Sequence, residues 1–95
     1  MSSDNGIYII KLKDETWRVA HCQAIENIYY YPEGSEDRKL ELKGYFGQSS
    51  VFPNKVSAEE YAEKLSEEYY FLEYGIGILP GEFDVFWMME NKNES

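Results

Sequence analysis

The stretch IYIIKLKDETWRVAHC, residues 7–22, constrains the fold more than any other part of the chain. Two runs rich in β-branched and aromatic residues, Ile7 to Leu12 and Thr16 to Cys22, flank a short polar connection of Lys13, Asp14 and Glu15, which predicts a β-hairpin. Side chains alternate across a pleated strand, so Tyr8, Ile10 and Leu12 share one face of the first strand, and Trp17, Val19 and His21 one face of the second. Each strand therefore has an apolar side that needs a covering layer.

Further along, AIENIYYYP reads as a short turn leading into a strand that stops at Pro32, and PEGSED as a loop. In RKLELKGYF, residues 38–46, Leu40, Leu42 and Phe46 alternate with Lys39, Glu41, Lys43 and Tyr45, the pattern of a half-buried strand. A helix follows: Ser57 and Glu60 make a capping box, and Ala58, Tyr61, Ala62, Leu65 and Tyr69 recur at helical spacing to a predicted end near Tyr70. LEYGIGIL places Leu72, Tyr74, Ile76 and Ile78 on one side of another strand, which Pro80 and Gly81 are expected to break. EFDVFWMME reads as a terminal strand with Phe83, Val85 and Trp87 on one face. Strands covered by one main helix predict the α+β class: a small two-layer domain, its antiparallel sheet of about four to five strands carrying the helix on one face. Residues 1–90 are expected to form this single acidic domain, and residues 91–95 a polar frayed tail.

A chain of 95 residues can build one hydrophobic core, and an apolar share of 43% with 17% aromatic residues is enough to fill it. No stretch approaches the ~18 apolar residues of a membrane span, and MSSDNG has neither the basic region nor the apolar core of a secretory signal. The single cysteine excludes an internal disulfide and suits a reducing compartment, so the expected location is cytoplasmic and the NES sequon at residues 93–95 is read as chance. The net charge of −9 is uneven: residues 1–48 hold six basic and eight acidic side chains, net −2, while residues 49–95 hold three and ten, net −7. Such a field repels phosphate backbones and acidic lipids and attracts basic proteins, which disfavours direct nucleic-acid and membrane binding.

His21 and Cys22 are the only histidine and cysteine, and they are adjacent. In an extended strand neighbours point to opposite faces, so this imidazole and thiol share neither a proton nor a metal ion. One of each falls short of a zinc site, which normally takes four ligands. EGSEDR lacks the alternating ligands and terminal glutamate of a calcium loop, and YGIG lacks the third glycine and following helix of a dinucleotide fingerprint. The abundant carboxylates fall on a predicted solvent face, where their acidity stays ordinary. The residues thus point to no catalytic group, no metal and no cofactor.

Two features remain as interaction surfaces. Glu59, Glu63 and Glu67 recur every four residues, spacing charges about 6 Å apart along a helix axis, a row that can mimic a phosphate string or simply solubilise the helix. Nine tyrosines, five phenylalanines and two tryptophans exceed what so small an interior holds, so some must reach solvent; Tyr30, in the YYY run, and Tyr70, beside the helix stripe, are the candidates for contact.

NGIYII, WRVAHCQAIENIY and EYGIGIL, the last after an acidic helix, together resemble small accessory proteins encoded by bacteriophages over roughly residues 5–79. The resemblance implies a host-directed role, exerted in the host cytoplasm by binding a bacterial protein, and it supplies no functional residues. The reading from sequence is therefore a small acidic protein-binding module that docks a basic or nucleic-acid-binding protein through Glu59, Glu63, Glu67, Tyr30 and Tyr70, as an inhibitor or DNA mimic. The alternatives are a small-ligand binder or enzyme using His21 and Cys22, and a structural homo-oligomer, a homodimer among the options, joined through a sheet edge or the FDVFW segment.

Overall fold

The computed structural model describes residues 5–23, 28–32, 34–47, 49–69, 72 and 74–85. The expected hairpin is present, with β1 (Asn5–Leu12) pairing antiparallel to β2 (Trp17–Gln23) from Asn5 opposite Gln23 to Lys11 opposite Trp17. Its turn is closed locally. The Thr16 carbonyl accepts from the Leu12 N–H at 2.8 Å, and the Asp14 carboxylate accepts from both the N–H and the hydroxyl of Thr16 at 3.0 and 2.6 Å. The chain turns back through Glu15, whose φ of 75° lies in the left-handed region that glycine prefers.

Residues 38–46 are helical, not extended: α1 spans Glu36–Phe46. The Ser35 hydroxyl caps it by accepting from the Arg38 N–H at 3.2 Å, and Glu36 and Asp37 sit in the first turn, where the helix dipole favours negative charge. Leu42 and Phe46, four residues apart, are its buried positions, while Leu40 faces water. The alternation of leucines therefore coincided with a helical stripe, and the cap lay inside the segment expected to be a loop. Gly47 ends the helix with its N–H on the Lys43 carbonyl, and a Cβ there would collide with that oxygen.

After β3 (Ser50–Phe52), α2 covers Lys55–Ser66. Its cap is Asn54, whose side chain accepts from the Ser57 N–H at 2.8 Å, so Ser57 lies inside the first turn rather than capping it. Ala58 and Ala62 are buried, and Tyr61 and Leu65 pack beside them as the stripe predicts. The helix stops at Ser66, four residues before the expected end near Tyr70, which lies outside the described residues.

β4 (Ile76–Phe83) runs through Pro80 and Gly81 instead of breaking there, and pairs parallel to β1 with a register shift between Ile9 and Lys11. Proline is tolerated because β4 is an edge strand: the order is β3-β2-β1-β4. The expected terminal strand over residues 82–90 thus contributes only its first two residues to β4, and residues 86–95 lie outside the described residues. Salt bridges Lys11–Glu82 at 3.1 Å and Lys13–Asp84 at 3.2 Å fasten the far end of the strand.

The molecule is an α+β domain, a four-stranded mixed sheet with two packed helices, so the expected class holds while the all-antiparallel sheet does not. Nor is the sheet covered on one face alone. Ile10, Leu12, Ala20 and Phe83 pack with Ile28, Leu42 and Phe46 on the α1 side, and Ile7, Ile9 and Val19 pack with Ala58 and Ala62 on the α2 side. β1 is therefore buried on both faces, which is why its sequence reads as a nearly continuous apolar run. Arg18, only 4% exposed, crosses from β2 to the end of α1, where its Nη1 donates to the carbonyls of Ser49 at 2.8 Å and Phe46 at 3.2 Å.

Candidate functional site

The alternation along β2 places His21 on the α2 side with Trp17 and Val19, and Cys22 on the α1 side with Ala20. Imidazole and thiol diverge. His21 stacks on Tyr69, ring centroids 3.8 Å apart at 19°, in a cleft of about 440 Å³ beside the stretch of β2 that β3 does not reach. Lys43 and Tyr45 of α1 and Tyr61 and Leu65 of α2 also line it, and the His21 Nε2 is buried there with no hydrogen-bond partner among the described residues. Cys22 does not line this cleft, and burial pushes its thiol up to about 11, so at neutral pH it is a protonated, weak nucleophile. Among the described residues no carboxylate lines the cleft, and they contain no group of three or more His, Cys, Asp or Glu placed to hold a metal ion.

A second cleft, about 360 Å³, lies between α2 and β4. Its floor is Ile9, Ile76 and Ile78, and its wall is Glu59 and Glu63, one helical turn apart. The floor forms because Ile76 and Ile78 stand opposite Ile7 and Ile9 on the α2 face, while α2 sits mainly over β1 and β2. The two outer isoleucines are left 40% and 42% exposed, in contrast to the fully buried pair on β1. Apolar area that no part of the described chain covers sits directly beside two carboxylates. Glu59 has Lys55 at 4.0 Å, both half-exposed, a pair worth only a few tenths of a kcal/mol.

The residues expected to meet a partner do not form one patch. Glu59 and Glu63 border the second cleft, and Glu67 follows the last turn of α2 as its exposed C-cap. Tyr30, 84% exposed, lies in a 3₁₀ turn (Ile28–Tyr30) that packs with α1, on the other side of the sheet from the glutamates. The Tyr30 ring meets Tyr31 edge-on at 5.9 Å. Tyr70 lies outside the described residues. Ile76 and Ile78 were expected on an apolar face but not at an edge; the signal was in the sequence, since glycine on either side of Ile76 and a proline soon after Ile78 suit an edge strand better than a central one.

Among the described residues no helix is long and apolar enough to cross a membrane. Compared with known proteins, the chain matches no family model, no curated protein and no solved structure.

Proposed function

We propose that this chain is a protein-binding module that docks a basic surface of a partner through the acidic face of α2 and the adjoining groove. The observation that carries the reading is the pairing of Glu59 and Glu63 with the exposed Ile76 and Ile78, since apolar area supplies contact energy and charge at the rim steers association. The net charge of −9 extends the same field over the whole molecule. A nucleic-acid-binding protein is a natural partner for such a surface, and the likeness to phage accessory proteins gives this reading its host-directed form, an inhibitor acting in a bacterial cytoplasm. The test is capture of partners from bacterial lysate at low and high salt with the native chain and with Glu59, Glu63 and Glu67 reversed to lysine. A basic partner released by salt from the native chain and not captured by the reversed one supports the reading; equal capture by both removes it.

The buried, unpartnered His21 Nε2 in the larger cleft supports a second reading, a small-ligand site. If that reading is right, His21→Gln abolishes ligand binding while Cys22→Ser, on the opposite face, leaves it intact.

A further inference from the structure

We infer that the partner engages the outer edge of β4 as an added strand, an extended segment carrying an apolar residue and a lysine or arginine two positions apart. This rests on the protein-binding reading and specifies the form of the partner. The Gly75 carbonyl accepts from the Ile7 N–H at 2.8 Å, and Ile7 stands opposite Ile76. In a parallel ladder that arrangement turns the backbone of Gly75 and Gly77 toward β1 and the N–H and C=O of Ile76 and Ile78 away from it. Among the described residues no strand pairs with β4 on the side away from β1, because β4 is the last strand of the sheet. The same two residues thus offer backbone donors and acceptors at the edge and apolar side chains on the α2 face.

A strand laid there sits about 4.8 Å beyond β4. Its alternate side chains face α2, so an apolar one covers Ile76 and Ile78 and a long basic one reaches Glu59 and Glu63 across the groove. On the opposite face Gly77 has nothing within 4 Å of where a Cβ would stand, which leaves the edge flat. Pro80 and the register shift after Ile78 end the straight part of the strand, so the docking segment is short.

The probe is a blocked eight-residue peptide with valine and lysine at alternate positions and threonine between them, titrated into the full ¹⁵N-labelled chain. Strand addition predicts slowed amide exchange at Ile76 and Ile78, about tenfold weaker binding to the Glu59→Lys, Glu63→Lys double variant, and loss of binding when the peptide backbone is N-methylated. Equal binding of the N-methylated peptide, or peptide binding that leaves the Ile76 and Ile78 amides unprotected, overturns strand addition while salt-sensitive capture of a basic partner still stands on its own. No peptide binding at millimolar concentration overturns it too. Protection of the two amides that rises with protein concentration alone, together with a dimeric mass by light scattering, overturns it in favour of a second copy of this chain.

Discussion

Replacing Arg18 by methionine tests how the two structural halves of the domain are joined. Arg18 is the one buried charged residue among the described residues, and it links β2 to the end of α1 and the loop after it. Its Nη1 bond to the Ser49 carbonyl at 2.8 Å is charge-assisted and part-buried, worth about 1.5–3 kcal/mol net. The Phe46 carbonyl loses less, because the Ser49 hydroxyl at 2.6 Å and N–H at 3.0 Å also donate to it. The net value for the Ser49 bond already includes the guanidinium's desolvation, and methionine's unbranched stem keeps much of the packing. The balance is a net loss of about 2 kcal/mol for Arg18→Met, which for a domain of this size lowers Tm by roughly 8–16 °C. Arg18→Lys keeps the charge but has no guanidinium plane and loses about half as much. Urea titration followed by tryptophan fluorescence measures the loss, and amide exchange should quicken at Gly47 and Ser49 as the end of α1 frays. A methionine variant as stable as the native chain, with exchange unchanged there, would refute the view that this arginine secures α1 to the sheet.

Cys22 should react slowly with a disulfide reagent at pH 7.5, at about one-hundredth the rate of a free thiol of ordinary acidity, because burial holds its proton up to about pH 11 instead of 9.0; ready labelling of the folded chain contradicts that burial. The sign of the linkage follows: the folded state holds this proton more tightly than the unfolded state, so the stabilisation is complete below about pH 9 and is lost as pH rises toward about 11. Glu15→Gly should raise stability by about 0.5 kcal/mol, since relief of a left-handed backbone worth about 1–2 kcal/mol exceeds the added freedom of glycine in the unfolded chain. A lower urea midpoint would show that the turn does not strain Glu15.

The hairpin was legible because its alternation and its turn chemistry agree, and α2 because alanines and aromatics keep a helical period over three turns. α1 was not. Leu40 and Leu42 suggested period two, yet Ser35, Glu36 and Asp37 supplied a cap and a favourable first turn for a helix. The second covered face of β1 was written in its unbroken apolar run, but one long-range fact, the packing of α1 and α2 on opposite faces of the sheet, was needed to explain it. The acidic row could be read directly from its spacing. Its apolar neighbour could not, because the meeting of Glu59 and Glu63 with Ile76 and Ile78 depends on where α2 lies over the sheet.

The parallel pairing of β1 with β4 joins Ile7 to Ile76, nearly the whole described chain apart. Closing so long a loop costs chain entropy, so this pairing is expected to form after the hairpin and the helices. Until then β1 carries an uncapped flank of Ile7, Ile9 and their amides, an adhesive seam between molecules that meet at high concentration during refolding. Aggregation yield should therefore depend on how soon β4 arrives rather than on the stability of the finished domain.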